Sequence, residues 1–367
     1  MFRVGDVIVG GSRVVLIAEV GVNHLRDLQL AGQLISAAAR AGADIVKFQN
    51  YSAETLVTRD APRYWTWSGE AAPEGGQFDS FKRLETPEAS FARRLQELCA
   101  ENGVEFMSTP FDEHAVEVLL EVGVNAFKIA SGDLTNLPLL RHVGRAGLPV
   151  FLSTGGSDLA EVEAAVGALE ESGVEDLCVM QCTLCYPTRP DDANLSAITE
   201  LATTFPGRVL GLSDHTLGPN IGAGSVLLGA DVIEKHFTTD RGLPDSADHW
   251  LSADEAELKQ LRVLADTFRL ARGNGRKGVL PCEGGARANA RRSLVARGRI
   301  GAGNRFSEEN VTTKRPATGI SPTYFDALIG LTAARDIEDD EVIEPSHVVE
   351  DGPFKPISEE SATLFRP

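Results

Sequence analysis

Cysteine, cationic surplus and long apolar runs are all in short supply in this sequence, and each shortage excludes a class of protein. Five cysteines in 367 residues, Cys99, Cys178, Cys182, Cys185 and Cys282, are too few and too irregularly spaced to frame a fold of this size, so they are expected to be reduced. Cys182 and Cys185 form a C-x-x-C. It follows an apolar strand instead of opening a helix, and no second C-x-x-C completes a zinc site, so neither redox nor zinc chemistry is expected there. No apolar run approaches the roughly 18 to 20 residues that span a bilayer, and Met1-Phe2-Arg3-Val4-Gly5-Asp6 lacks a signal-peptide pattern; a cytoplasmic location is expected. A formal charge of −18 argues against nucleic acid or an anionic membrane as partner. It does not argue against a small anionic substrate, because a few cations in a cleft govern the local field.

A Gly-rich dinucleotide fingerprint is missing after the first strand as well, which disfavours an open doubly wound sheet. What is present is an ordinary globular composition, 43% hydrophobic and 24% charged, and a repeated unit of short apolar strand, loop and amphipathic helix. After a hairpin arm at residues 2 to 9, strands are predicted at 14–19, 45–50, 104–110, 126–131, 149–155, 177–183, 209–215 and 232–238. The clearest helices are predicted at 28–41, 87–101, 113–121, 159–171 and 253–271. Near-continuous apolar strands alternating with helices imply parallel strands buried on both faces, and eight such units fit an α/β (β/α)8 TIM barrel over residues 1–271.

The interval from Asn50 to Pro87 carries no clear element, and its aromatics, Tyr64-Trp65-Thr66-Trp67, suggest a segment packed over the barrel mouth. A Gly-rich basic stretch begins a linker at 272–284. Beyond it Leu294, Ala296, Ile300, Phe306 and Val311 recur at a constant offset as Leu331, Ala333, Ile337, Ile343 and Val348. That recurrence predicts a small pseudo-symmetric β-rich domain over 285–350, followed by a tail at 351–367.

In a TIM barrel the active site lies at the C-terminal strand ends. Those positions here are Glu19, Lys47 with Gln49, Ser108-Thr109, Lys128 with Ser131, Ser153-Thr154, Thr183, Ser213 with His215, and His236. Lysines and hydroxyls suit a phosphate, and two strand-end imidazoles suit a shared divalent metal ion. Lys47 and Lys128 both sit inside apolar runs, where a charge needs a partner.

The order of motifs resembles the sialic acid synthase family: Ile17-Ala18-Glu19-Val20-Gly21-Val22-Asn23-His24, Val46-Lys47-Phe48-Gln49, Ser108-Thr109-Pro110-Phe111, Phe127-Lys128-Ile129-Ala130-Ser131-Gly132, Leu152-Ser153-Thr154-Gly155, Gln181-Cys182-Thr183 with Tyr186-Pro187-Thr188, Gly211-Leu212-Ser213-Asp214-His215-Thr216 and Glu234-Lys235-His236-Phe237-Thr238. With Arg292-Ser293-Leu294-Val295-Ala296 and Lys314-Arg315-Pro316, the likeness spans nearly the whole chain, and the C-terminal module resembles that family's antifreeze-like SAF domain. The resemblance implies a transferase that condenses phosphoenolpyruvate with N-acetylmannosamine or a related N-acyl amino sugar. Phosphoenolpyruvate would be held by Lys47, Thr109, Lys128, Ser131, Ser153 and Ser213. A divalent ion, manganese first and magnesium or cobalt as alternatives, would be held by His215 and His236.

By the same resemblance Glu19 and Asp133 are catalytic carboxylates, Asp133 standing where relatives often carry the longer Glu. Gln49, Tyr186 and Asp248 would contact the sugar, Asp248 being preferred over Asp245. Arg315 would reach the N-acyl group in the barrel of the other chain of a domain-swapped homodimer. Leu184 replaces a polar ligand contact, and Ala317 replaces a glycine, with strain if its φ is positive. Two other readings remain: a phosphoenolpyruvate-dependent synthase acting on a phosphorylated sugar, and a non-catalytic sugar-binding barrel.

Overall fold

Alternation of side chains along each strand decides the architecture. In the computed structural model, which describes residues 1–63, 65, 75–243 and 248–349, strands β3 (Val15–Gly21), β4 (Ile45–Asn50), β5 (Glu105–Pro110), β6 (Phe127–Ile129), β7 (Val150–Ser153), β8 (Leu177–Cys182), β9 (Val209–Asp214) and β10 (Val232–His236) close into one parallel barrel. The α/β TIM barrel expected from the sequence is therefore present. Before it, β1 (Phe2–Val4) and β2 (Val7–Val9) pair antiparallel.

Helices α1 (Leu28–Arg40), α4 (Ala89–Glu101), α5 (Glu113–Val122), α6 (Leu137–Gly144), α7 (Leu159–Glu171), α8 (Ala197–Thr204), α9 (Asn220–Leu228) and α10 (Glu255–Arg272) follow the strands. Several start at an aspartate whose carboxylate accepts backbone N–H groups of the first turn: Asp27, Asp112, Asp158 and Asp254. That cap satisfies donors with no partner inside the helix. The overlong interval is not featureless: it contains α2 (Ala53–Leu56) and α3 (Gln77–Leu84). Tyr64, Thr66 and Trp67 lie outside the described residues.

Two apolar layers result. Outward-facing residues such as Leu16, Val46, Phe106, Phe127 and Ile129 pack beneath the helices. Inward-facing Val15, Ile17, Ile45, Met107, Phe151, Met180 and Val232 fill the barrel's lower half, where Phe2, Val4 and Val9 of the hairpin join them. The same inward register then turns polar towards the strand ends, which brings Glu19, Lys47, Thr109, Lys128, Ser153, Ser213 and Glu234 above that floor.

The chain divides into two compact units, Met1–Asn274 and Gly275–Pro367. The second contains α11 (Gly284–Ala290), the antiparallel pair β11 (Ser293–Ala296) and β12 (Val311–Lys314), and α12 (Phe325–Leu328). Its ten recurring apolar positions do share one cluster, nine buried in its core and Leu331 packed against it. The Ile300 and Ile337 bridge joins the two halves of that repeat. Regular strand is scarcer than the sequence predicts, the other pairings being single bridges such as Val295 with Val342. Ala317 is not among the residues with left-handed φ, so the strain expected of a positive φ does not arise. The tail expected at 351–367 lies outside the described residues.

Candidate active site

The polar end of the barrel opens into a cavity of about 430 Å³, a size suited to a small-molecule ligand. Glu19, Lys47, Gln49, Thr109, Lys128, Ser131, Asp133, Ser153, Tyr186, Ser213, His215, His236 and Asp248 all line it. Arg315 lies in the second unit. Of the positions read as strand ends, Ser108, Thr154 and Thr183 do not line the cavity; Thr154 and Thr183 donate to the carbonyls of Met180 and Asp192. Asp245 lies outside the described residues.

Four buried charges form the centre. Lys47 Nζ lies 2.8 Å from Glu19 Oε2 and 3.8 Å from Glu234 Oε1. Lys128 Nζ lies 3.6 Å from the same Glu234 oxygen. Lys47 also donates to Thr109 Oγ1, and Ser213 donates to Glu234 Oε1. Glu234 was not nominated from the sequence. It stands two residues before His236 on one strand, and period-two alternation puts both on the inner face.

The quartet separates its two carboxyls. Burial pushes Glu19 above the usual carboxylate range; Lys47 opposes this and Glu234 adds to it. At Glu234 burial acts upward too, but Lys128 and Lys47 outweigh it and hold the carboxyl below its usual range. Burial lowers the Lys128 ammonium against the pull of Glu234, whereas at Lys47 burial is outweighed by Glu19 and Glu234 and the value is raised. Glu19 is thus the more basic carboxyl and Glu234 the fixed anion. Burial also raises Asp133, against a hydrogen bond from Asn136.

Backbone detail fixes Glu19. The β3–β4 register shifts between Glu19 and Gly21, whose φ is 53°. A Cβ at Gly21 would lie 3.1 Å from both Glu19 Oε1 and Gln49 Nε2, the two atoms of the Gln49 to Glu19 hydrogen bond. Glycine meets both demands.

The imidazoles of His215 and His236 lie 5.4 Å apart between centroids, and the Tyr186 ring stands 4.1 Å from that of His215. His215 Nδ1 is 2.9 Å from the Thr183 carbonyl, so it carries the proton and presents Nε2 as the lone-pair nitrogen. Its value is raised: burial acts downward, but the neighbouring Cys182 sulfur and the Thr183 carbonyl outweigh it. Burial lowers His236 to about 4, with Asp248 opposing. His236 Nδ1 is buried, 3.7 Å from Asp248 Oδ2 and without a hydrogen bond to described residues.

A backbone-oriented imidazole beside a neutral one with an unsatisfied nitrogen is a donor set that fits a divalent ion. Among the described residues no group of three or more His, Cys, Asp or Glu is placed to hold a metal, so the two imidazoles are the candidate ligands among them. Ser153 Oγ and Glu234 Oε2 are buried at the same cavity, likewise without hydrogen bonds to described residues. Cys182 and Cys185 are both free thiols, one buried and one exposed.

Beyond the polar ring the cavity wall carries Leu56, Val57, Trp65, Phe81, Leu84, Phe111, Leu184 and Trp250, with Gln77, Ser80 and Arg83 among them. Among the described residues no helix is long and apolar enough to cross a membrane.

A family model described as the NeuB family matches residues 34–277, and one described as the SAF domain matches residues 291–349. The N,N'-diacetyllegionaminic acid synthase of Legionella pneumophila is 40% identical over 319 residues, covering 86% of this chain and 89% of that one. The enzyme of the same name from Campylobacter jejuni is 38% identical over 334 residues, 90% and 99% of the two chains. Among solved structures, the N-acetylneuraminic acid (sialic acid) synthetase of Leptospira borgpetersenii in complex with citrate is 32% identical with a TM-score of 0.70, covering 78% of this chain and 94% of that chain.

Proposed function

Because this chain belongs to the NeuB family, we propose that it is a transferase condensing phosphoenolpyruvate with an N-acyl amino sugar to give a nonulosonate and phosphate. The observation that supports this reading best is the convergence of Lys47, Lys128 and four hydroxyls with a histidine pair on one cavity. Phosphoenolpyruvate lies in this proposal against Lys47, Lys128, Thr109, Ser131, Ser153 and Ser213, where charge-assisted hydrogen bonds hold its phosphate and carboxylate.

A divalent ion at His215 and His236, manganese foremost, supplies Lewis-acid polarisation of the sugar aldehyde when bound. Lys47 and Lys128 hold the enol so that its C3 faces the aldehyde carbon. As the new C–C bond forms, the aldehyde oxygen takes a proton, for which Glu19, the more basic of the two buried carboxyls, is the proposed donor. Water adds to the oxocarbenium-like C2 and loses a proton to Asp133 or to the re-formed Glu19 carboxylate. The tetrahedral centre then collapses: the bond from C2 to the phosphate oxygen breaks, the C2 hydroxyl proton passes to the departing phosphate, and the C2 ketone and hydrogen phosphate remain.

The apolar wall around Leu84, Phe81 and Leu184 suits acyl and deoxy groups of an acceptor, while Arg83 on the same wall offers a cation to an anionic group. Gln49, Tyr186 and Asp248 are the polar contacts proposed for the sugar. The homodimer, with Arg315 reaching the partner's sugar, belongs to the same proposal, as does a cytoplasmic location.

The test is a panel of N-acetylmannosamine, its 6-phosphate and di-N-acetylated hexosamines, assayed for phosphate release from phosphoenolpyruvate with manganese. Turnover restricted to free sugars supports the proposal. Turnover restricted to the 6-phosphate replaces it with the phosphorylated-sugar synthase, and no turnover together with no phosphoenolpyruvate binding leaves a sugar-binding barrel.

A further inference from the structure

One buried ion pair stands outside the cavity, directly behind the histidines. Asp214 precedes His215 and Lys235 precedes His236, and the two are ladder partners on β9 and β10. Lys235 Nζ lies 2.9 Å from Asp214 Oδ2, and both side chains are 1% exposed. Alternation turns them away from the cavity towards α9. There a Cβ at Gly222 would come to 3.0 Å from Asp214 Oδ2, so glycine leaves room for the carboxylate.

Stability does not explain the pair. Desolvating two charges consumes most of their attraction, and well-packed apolar residues of similar volume commonly hold such a space as well or better. What apolar residues lack are the other bonds. Asp214 Oδ1 accepts the Thr216 N–H at 2.9 Å, and Lys235 also donates to the Thr216 carbonyl. The backbone is therefore clasped on both sides of His215 and tied to β10 one residue before His236. The His215 carbonyl, in turn, accepts from Thr188 N.

We infer that Asp214 and Lys235 are positioning residues that set the separation and aim of the His215 and His236 imidazoles. The inference rests on the reading of those histidines as a metal pair. It assigns no substrate contact to either residue.

The test uses the full chain carrying Asp214→Leu together with Lys235→Met, which removes both charges at once, and reads manganese and phosphoenolpyruvate binding separately by calorimetry. Manganese affinity is expected to fall ten- to a hundredfold, the usual effect of losing a group that orients a ligand. Phosphoenolpyruvate affinity is expected to stay within about threefold, since its contacts lie on the inner register. Manganese affinity within threefold of the native protein, or equal loss for both ligands, overturns the inference. Should that variant not fold, Asp214→Asn with Lys235→Met retains the acceptor for Thr216 N–H; a selective loss of manganese affinity supports the inference and none overturns it. A native protein that binds no manganese overturns the histidine-pair reading and this inference with it, an outcome distinct from failure of the variants alone.

Discussion

Lys47 Nζ stands 2.8 Å from Glu19 Oε2, with both side chains at most 4% exposed. Together with Lys128 and Glu234 they form a buried set of two cations and two carboxyls, so an incoming phosphoenolpyruvate adds negative charge to a site already balanced. The carboxyl with the raised value, Glu19, is the one that responds. An anion beside it favours its protonated form, so binding draws in a proton and affinity falls as pH rises through the folded value of Glu19. Calorimetry in buffers of different ionisation enthalpy reads that proton directly. In Glu19→Gln the uptake is expected to vanish, binding to be retained, and kcat to drop about 10² to 10⁴-fold.

Lys128 and Glu234 are expected to be inseparable. Lys128→Met leaves the Glu234 anion without its nearer ammonium and should cost about 3 to 5 kcal/mol in urea unfolding. Adding Glu234→Gln should recover most of that stability and none of the phosphoenolpyruvate affinity. Recovery of both would remove Lys128 from the anion site.

Gly21→Ala tests the bulge that aims Glu19. A left-handed φ costs a residue with a Cβ about 1 to 2 kcal/mol, and the new methyl would press on the Gln49 to Glu19 hydrogen bond. Stability is expected to fall by about that amount, and kcat to fall while phosphoenolpyruvate binding holds. An unchanged kcat would show that Glu19 needs no such support.

His24 supplies a pH dependence of stability. Its ring packs between Phe48 and Phe91, its Nδ1 accepts from Arg26 N, and burial, with Arg26 adding, lowers its value from 6.5 to about 4. Between those two values the unfolded chain binds a proton that the folded chain refuses. Stability from this group is therefore whole above pH 6.5 and is lost as pH falls towards 4, by roughly 3 kcal/mol. Urea midpoints across that window measure the slope. In His24→Asn, which keeps an acceptor for Arg26 N–H, the slope should flatten.

The barrel was legible because short, near-continuous apolar runs alternating with amphipathic helical spacing are local signals. The cavity was legible because its residues fall at consecutive strand ends. Glu234 escaped notice as a site residue although its spacing from His236 gave it away. Helix α3 was missed because Phe78, Phe81 and Leu84 give it a short apolar face and none of its residues is fully buried. The Asp214 and Lys235 contact arises from the register of β9 on β10, which a sequence does not display. In the second unit the apolar spacing was a sound guide to the core. It was a poor guide to strand length, because Gly298, Gly303 and Gly330 all take left-handed φ and break the strands into single bridges.

The hairpin of Phe2, Val4 and Val9, joined to the apolar floor of the barrel, makes the site a blind well. Whatever lies deepest, against Lys47 and Lys128, arrives first and departs last. In the proposed arrangement, a sugar seated towards the mouth near Tyr186 would block the exit of an enol phosphate below it. The stopper thereby imposes a queue, and steady-state kinetics should show phosphoenolpyruvate binding as the leading substrate.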